Sequence, residues 1–203
     1  IFITHQIEPY HTNYIIKYIF KISNRKFLSP FDEIWIPDDE KIKLSGSLSH
    51  DSSGKLKIKF IGIQSRMKPC TISEENLITA LLSGPEPQRT RMEEEVVKLI
   101  KKHPQFNFIL VRGIQEDAQF PAYLNMKIIN LAPTHQVNEL LCRSKLVICR
   151  SGYSTLMDLF ALHKKAILIP TPGQTEQEYL AVYNNKRWSF VSQKEINKIT
   201  FNL

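Results

Sequence analysis

The sequence predicts an α/β protein built on a parallel, Rossmann-like sheet that is covered by helices on both faces. Short apolar segments of strand length alternate with amphipathic segments of helical spacing, and this alternation is typical of parallel sheets with crossover helices. The composition supports this class, because 42% hydrophobic and 23% charged residues suit a globular core. No apolar run reaches the roughly 18 residues that a membrane-spanning helix needs.

The chain divides at residues 67–75, an aperiodic stretch that contains Pro69 and is interpreted as a linker. After it, the pattern of residues 76–203 predicts a second unit with the element order β-α-β-β-α-β-α-β-α. Its strands are predicted at 77–82, 106–111, 127–131, 146–149 and 166–169, and its helices at 90–103, 136–143, 154–162 and 176–184. Residues 1–66 predict part of a second Rossmann-like, N-terminal domain, with strands at 1–4, 33–36 and 56–63 and a helix at 10–26.

The chain opens without Met, directly on the apolar strand at residues 1–4, and its end at residues 199–203 is equally abrupt. A core strand at the first residue predicts that further sequence precedes it. We therefore expect the chain to be part of a longer protein.

Lys and Arg number 27 against 20 Asp and Glu, which gives a net charge of +7. A basic balance favours anionic partners such as phosphates, nucleic acids or acidic lipid head groups, although many cytosolic proteins are mildly basic. No nucleic-acid recognition motif accompanies the charge. We therefore expect no nucleic-acid partner.

The three cysteines, Cys70, Cys142 and Cys149, show no CxxC spacing. An odd count without metal-ligand spacing argues against a disulfide framework or a zinc site. The histidines form no HExxH or similar pattern either. We therefore expect three unpaired thiols in a reducing compartment and no protein-bound metal.

The strongest functional pattern is at residues 146–158, where an apolar strand ends and a turn of small residues opens a helix. The first N–H groups of a helix lack internal partners and carry partial positive charge, which suits a diphosphate. Gly152 lets the backbone approach a ligand closely, and Asp158 can accept from ribose hydroxyls. Further donors come from Arg150, Ser151, Ser154 and Thr155. The alternative is a plain turn in which Ser154 is only an N-cap.

Two more loops follow predicted strands of the same unit. Because parallel sheets bind ligands at the carboxyl ends of their strands, we expect all of these loops, with those after 106–111 and 127–131, at one edge of the sheet. Residues 170–178 are dense in amide and carboxylate groups, which read sugar hydroxyls; a capping box of Thr175 and Glu178 is the other interpretation, and both can hold. Residues 83–89 begin with a glycine turn at the first crossover, a place that often faces phosphates. Its two prolines lack the N–H groups that a P-loop needs.

Two candidates lie in residues 1–66. His5 follows the first strand and is a candidate catalytic base, although a lone histidine is more often structural. The predicted helix between Tyr10 and Lys26, with Thr12 or Asn13 as its candidate N-cap, has an apolar side and a basic side. Such a helix can lie on an acidic membrane surface, but a core helix with a solvated Lys face is the favoured interpretation.

Residues 149–158, followed after a strand by residues 172–181, resemble the C-terminal donor domain of MurG-type glycosyltransferases. These are two-Rossmann-domain (GT-B) enzymes that include the peptidoglycan N-acetylglucosaminyltransferase and many bacterial relatives. Residues 83–89 are similar to the first glycine turn of that domain, and residues 62–66 to the Gly-x-x-x-Arg segment that ends the N-terminal domain. The resemblance covers roughly residues 60–181, whereas residues 1–59 resemble the end of the acceptor domain only loosely.

The resemblance implies a role for each matching residue. The donor diphosphate would be bound by Arg66, Gly84, Arg150, Ser151, Gly152, Ser154 and Thr155. The nucleoside would be bound by Leu131, Ala132 and Asp158, where the peptidoglycan enzyme usually has Glu in place of Asp158. The donor sugar would be held by Gln174, Glu176 and Gln177, and Glu176 in place of a usual Gln indicates a different sugar. The family's N-terminal glycine loop and usual base lie upstream of residue 1, which leaves His5 as a weak candidate base.

The resemblance further implies a cytoplasmic glycosyltransferase that moves a sugar, such as N-acetylglucosamine, from a UDP-sugar to an acceptor hydroxyl without a cofactor. A lipid-linked acceptor and a peripheral position at the inner face of the membrane would follow from the basic amphipathic helix. Two alternatives remain open: a nucleotide-sugar hydrolase or epimerase of the same fold, and a non-catalytic donor-binding subunit. Half of an acceptor domain in residues 1–66 argues against the subunit.

Overall fold

The computed structural model describes residues 1–115 and 125–201. Its N-terminal unit consists of β1 (Phe2–Ile3), α1 (Tyr14–Leu28), β2 (Ile34–Ile36) and β3 (Ile58–Phe60). The strands of the C-terminal unit are β4 (Glu75–Leu81), β5 (Asn107–Val111), β6 (Met126–Ile129), β7 (Ser144–Cys149), β8 (Ala166–Leu168) and β9 (Ser189–Phe190). Its helices are α2 (Gln88–Lys102), α3 (Thr134–Arg143), α4 (Tyr153–Ala161) and α5 (Thr175–Tyr183), with 3₁₀ helices at Gly46–Ser49 and Gln193–Lys198.

Both sheets are parallel, which confirms the predicted fold class. The N-terminal sheet has the order β1-β2-β3, and the C-terminal sheet has the order β6-β5-β4-β7-β8-β9. The chain therefore winds outward from β4 to β6, returns through α3, and continues outward on the other side from β7. The adjacent strands β4 and β7 mark the point where the strand order reverses, and ligands of such sheets bind outside the carboxyl ends of the strands there.

Helices cover the C-terminal sheet on both faces because each helix has one apolar stripe. One face packs on α2 and the 3₁₀ helix Gln193–Lys198, through side chains such as Val96, Leu99 and Ile196. The other face packs on α3, α4 and α5, through side chains such as Leu141 and Leu156. The central strand β4 is buried from Leu77 to Ala80, as expected for a strand covered twice.

The N-cap residues of three helices can be compared with the predicted ones. Asn13 is the N-cap of α1, as predicted, and its side chain accepts from the N–H groups of Ile15 and Ile16. The N-cap interpretation of Ser154 is wrong, because Gly152 occupies that position at α4. The capping box at residues 175–178 is also wrong, because Gln174 is the N-cap of α5 and the carboxylate of Glu178 accepts from the N–H of Gly173.

Within the described part of the chain, residues 10–26 do not form the core helix that was the favoured interpretation. In α1 only Leu28 is buried, and it packs with Ile34 and Ile36 of β2. The remaining apolar side chains of the helix lie largely in solvent, at Tyr14, Ile15, Ile16, Tyr18, Ile19, Phe20, Ile22 and Phe27. An apolar helix face of this size outside a core calls for a partner.

The expectation of three unpaired thiols is wrong for two of them. Cys70 of the linker is joined to Cys142 of α3, with their Cα atoms 5.3 Å apart, a separation that suits a disulfide. Cys149 is free and buried, and burial raises the pKa of its thiol to about 12. The cysteines therefore no longer indicate a reducing compartment.

In sequence, the predicted linker at residues 67–75 separates the two units. In the structure, the two units share a core. Leu44 and Leu48 of the N-terminal unit are fully buried, and they pack in the same cluster as α4 and α5. The side-chain amide of Asn184 donates to the carbonyl of Leu44 at 3.0 Å, and the N–H of Ser47 donates to the hydroxyl of Tyr179 at 2.7 Å. These contacts hold the N-terminal unit against the helices that flank the predicted site.

Candidate functional site

Three loops meet at the carboxyl edge of the C-terminal sheet around the point where its strand order reverses. They follow the adjacent strands β4, β7 and β8. Gly84, after β4, has a φ of +103°, a conformation that favours glycine. A Cβ at Gly84 would lie 4.0 Å from the hydroxyl of Thr171 in the loop after β8. The three loops predicted to lie together are therefore neighbours.

The turn after β7 leaves the first backbone N–H groups of α4 without a side-chain cap. Gly152 is the N-cap and contributes no side chain, and a Cβ placed there would meet nothing within 4 Å. Ser154 is exposed beside it, whereas Ser151 is buried and donates to the carbonyl of Gln177 at 2.8 Å. The helix terminus is thus an open, electropositive surface that suits an anion.

Arg150 lies beneath this turn. Its side chain is 2% exposed, and its guanidinium donates to the carbonyl of Gln88 at 2.8 Å and to the side chain of Gln193 at 2.7 Å. Burial lowers the pKa of Arg150 to about 10. Among the described residues its Nε has no hydrogen-bond partner. These contacts give Arg150 a structural role in joining the loops, and its contact with a diphosphate stays a prediction.

Two residues predicted for different parts of the donor lie against each other. The buried carboxylate of Asp158 accepts from the hydroxyl of Ser65 at 2.7 Å and from Nε of Arg66 at 3.3 Å. The Arg66 side chain is 63% exposed, whereas that of Asp158 is 8% exposed. Asp158 therefore anchors the end of the N-terminal unit to α4, and the guanidinium of Arg66 remains open to solvent.

The loop after β8 is braced by its own amides. The Oε1 atom of Gln177 accepts from the N–H and the hydroxyl of Thr171, both at 3.0 Å, and its amide donates to Gln174 at 2.6 Å. The loop therefore reaches the sheet edge in one defined shape. Gln174 and Gln177 lie together there, as predicted.

The structure brings His5 to the first turn of α5. Its Nε2 lies 2.9 Å from Oε1 of Glu176, and the side-chain amide of Gln6 donates to the other carboxylate oxygen. The His5 ring stacks on Tyr153 with ring centroids 4.1 Å apart, and the hydroxyl of Tyr153 donates to the carbonyl of Pro37 at 2.8 Å. Burial, with Asp38 nearby, raises the pKa of Tyr153. The candidate base thus lies beside the residue that follows Gly152.

The remaining predicted residues lie along the same edge. Leu131 and Ala132 follow β6, which is two strands from β4, and Leu131 is 55% exposed. Sequence reasoning assigned no role to Ser65 or Tyr153, although they contact Asp158 and His5. Their positions next to Arg66 and Gly152 in the sequence were the available signal. Part of the loop after β5, which the carboxyl-end rule also indicated, falls outside the described residues.

Within residues 1–115 and 125–201, no group of three His, Cys, Asp or Glu side chains could hold a metal ion. In the same part of the chain, no helix combines the length and the apolar character that crossing a bilayer requires.

Solved glycosyltransferases share this fold. The glycotransferase of kitacinnamycin superposes with a TM-score of 0.60 at 14% identity, over 87% of this chain and 45% of that one. The calicheamicin glycosyltransferase CalG4 superposes with a TM-score of 0.58 at 10% identity, over 96% and 55%. UGT2 of Phytolacca americana, solved with UDP-2fluoro-glucose and pterostilbene, gives 0.60 at 15% identity, over 90% and 46%. The fold is therefore that of GT-B glycosyltransferases.

Sequence comparison narrows this class to a family. The chain belongs to the family defined by the glycosyltransferase family 28 C-terminal domain, whose model matches residues 85–192. One relative is the UDP-N-acetylglucosamine--N-acetylmuramyl-(pentapeptide) pyrophosphoryl-undecaprenol N-acetylglucosamine transferase of Elusimicrobium minutum (strain Pei191). It is 32% identical over an alignment of 103 residues, which covers 48% of this chain and 28% of that protein. The MurG-type resemblance is confirmed, and the chain spans only part of the length of this relative.

Proposed function

We propose that the protein containing this chain is a glycosyltransferase that moves a sugar, such as N-acetylglucosamine, from a UDP-sugar to an acceptor hydroxyl. The observation that carries the proposal is the open N-terminus of α4 at the point where the strand order of the C-terminal sheet reverses. Family membership supports it, as does the name of the Elusimicrobium minutum relative, a UDP-N-acetylglucosamine transferase.

In this proposal the diphosphate lies over the turn at residues 150–155. The N–H groups of α4, the hydroxyls of Ser154 and Thr155 and the exposed guanidinium of Arg66 would neutralise the charge that develops on the leaving diphosphate. No metal is needed for this stabilisation. Gly84 on the adjacent loop gives the phosphates a second glycine turn to approach.

The rest of the donor would extend along the carboxyl edge of the sheet. Asp158 would exchange its contact with Nε of Arg66 for the ribose hydroxyls. Leu131 would pack near the base, with the backbone of Ala132 on the edge of the base. The sugar would lie near Gln174 and Gln177 at the start of α5, where amides offer both donors and acceptors. The acceptor hydroxyl attacks the anomeric carbon, and a base takes its proton.

A lipid-linked acceptor fits the exposed helix α1. Its apolar side chains are in solvent, and Lys17, Lys21, Arg25 and Lys26 lie on the same helix. A helix of this kind can bind in the plane of an anionic membrane surface. We therefore propose a cytoplasmic protein that associates peripherally with the inner face of the membrane.

The test is a calorimetric titration with UDP, UDP-N-acetylglucosamine, UDP-glucose, GDP-mannose and a short oligonucleotide. We expect UDP and a UDP-sugar to bind. Asp158→Asn should lower their affinity about 10- to 100-fold, the value of a hydrogen bond to a charged group. Asp32→Asn is the matched control, because Asp32 is exposed in the N-terminal unit, and it should leave binding unchanged.

The outcomes separate the alternatives. Binding of the oligonucleotide alone would contradict the donor site. If a UDP-sugar binds and is consumed at the same rate with and without lipid or sugar acceptors, the protein is a nucleotide-sugar hydrolase. A donor that binds to the full-length protein without any turnover would favour a donor-binding subunit. Thermal melting of each variant in the absence of ligand distinguishes lost binding from lost folding.

A further inference from the structure

Glu176 was predicted to hold the donor sugar, but its contacts indicate another role. Both oxygens of its carboxylate are engaged by the N-terminal unit: Oε1 lies 2.9 Å from Nε2 of His5, and Oε2 accepts from the amide of Gln6. The side chains of His5 and Glu176 are 22% and 34% exposed, so the pair is shielded on one side and reached by solvent on the other. A sugar hydroxyl would have to displace one of these contacts.

The same contacts fix the orientation of the imidazole. Stacking on Tyr153 at an interplanar angle of 15° sets the plane of the ring, and Glu176 sets its rotation within that plane. Toward an ionised carboxylate, which only accepts hydrogen bonds, a neutral His5 presents its proton on Nε2. The other nitrogen, Nδ1, then has a free lone pair, and in the described part of the chain no residue hydrogen-bonds to it.

His5 and Glu176 come from different units of the structure. His5 follows β1 in the N-terminal unit, whereas Tyr153 and Glu176 begin α4 and α5 at the carboxyl edge of the C-terminal sheet. Tyr153 directly follows Gly152, the N-cap of the proposed diphosphate turn. A base at this place lies next to the site of the leaving group, on the side from which the N-terminal unit approaches.

We propose that Glu176 is a positioning residue that orients His5 as the general base of the transfer. The proposal rests on the proposed function. As the acceptor oxygen bonds to the anomeric carbon and the bond from that carbon to the diphosphate oxygen breaks, Nδ1 of His5 takes the proton of the acceptor hydroxyl. The diphosphate leaves with the bonding electron pair, and the Glu176 carboxylate stabilises the imidazolium, as in other base–carboxylate pairs.

Glu176→Gln tests this role, because it removes the charge and preserves the size of the side chain. Calorimetry gives the Kd for UDP-N-acetylglucosamine. Release of UDP from the same donor by the full-length protein, in excess of its release without a lipid or sugar acceptor, gives kcat. We expect an unchanged Kd and a kcat at least about 10²-fold lower, since a general base contributes roughly 10²- to 10⁴-fold. Glu75→Gln is the matched control; Glu75 is exposed at the start of β4, at the edge of the sheet opposite the site, and both Kd and kcat should remain unchanged.

The nitrogen resonances of His5 provide a readout that needs no turnover. Long-range ¹⁵N–¹H correlation spectra should show the Nε2–H tautomer, and Glu176→Gln should populate the Nδ1–H tautomer because an amide can also donate. A raised Kd with unchanged kcat would overturn the proposal and make Glu176 a sugar ligand. Identical tautomer populations in both proteins would also overturn it. If no UDP-sugar binds the unaltered protein, the proposed function fails, and this proposal with it.

Discussion

At the scale of single residues, Gly152 is a glycine that ligand binding explains and folding does not. Its φ is −67°, which any residue adopts, and a Cβ there would meet nothing within 4 Å. The fold therefore does not require glycine at this position, in contrast to Gly84 with its φ of +103°. A glycine that packing does not need is expected where a ligand approaches the backbone.

Gly152→Ala should therefore leave stability nearly unchanged and weaken donor binding. The free energy of unfolding should change by less than about 1 kcal/mol, because reduced chain entropy in the unfolded state opposes the poorer N-cap propensity of Ala. The affinity for UDP should fall at least about tenfold. Chemical denaturation and calorimetry measure the two quantities. Uridine is the control ligand, and a loss of affinity that uridine shares would contradict phosphate contact at Gly152.

The sequence could locate this site but not the pairing of its side chains. A strand followed by a turn of small residues is a local pattern, and the three loops were predicted to meet because parallel strands share a carboxyl edge. The partners of Asp158 and Glu176 come from the other unit, 92 to 171 residues away in sequence. Such contacts depend on how the two units pack, which no local spacing encodes.

At the scale of elements, helix α1 departs most from its sequence-based interpretation. Its periodicity predicted the helix and its cap correctly, but the same periodicity predicted that the apolar face would be buried. Periodicity shows that a helix has an apolar side, and it does not identify what covers that side. The pairing of Cys70 with Cys142 was missed for a related reason, because the two lie 72 residues apart without a spacing signal.

If α1 contacts a membrane, its apolar face should drive binding to anionic vesicles. Ile15 and Ile19 are 68% and 56% exposed, one helical turn apart. The double variant Ile15→Glu, Ile19→Glu should lower the partition coefficient on phosphatidylglycerol-containing vesicles at least about tenfold, because charge replaces apolar burial. Added salt should weaken the binding of the unaltered protein.

Val182→Glu is the matched control, since Val182 is 55% exposed on α5 and should not affect vesicle binding. Vesicle sedimentation measures all three proteins. Equal binding by the double variant and the unaltered protein would exclude α1 as the membrane contact and leave its apolar face to a protein partner.

At the scale of the whole molecule, we expect the two units to unfold as one structure, because the segment around Gly46 packs against α5. Gly46 has a φ of +58°, and a Cβ there would clash with the Tyr179 hydroxyl and lie 2.9 Å from ring carbons of Tyr183. Tyr179 in turn stacks on Tyr183 and accepts from the N–H of Ser47. The orientation of His5 toward Glu176 depends on this packing, so the proposed base is coupled to the contact between the units.

Gly46→Ala should therefore destabilise both units together. Gly54→Ala is the matched control, because Gly54 has a φ of +63° and open space around it, so it carries the backbone strain without the clash. The free energy of unfolding should fall about 1–3 kcal/mol further for Gly46→Ala than for the control. Trp35 lies in the N-terminal unit and Trp188 in the C-terminal unit, so single-tryptophan variants report each unit in urea. Coincident fluorescence transitions would establish one cooperative structure. An earlier transition at Trp35 alone would show that the N-terminal unit opens independently, and the contact between His5 and Glu176 would then be lost with it.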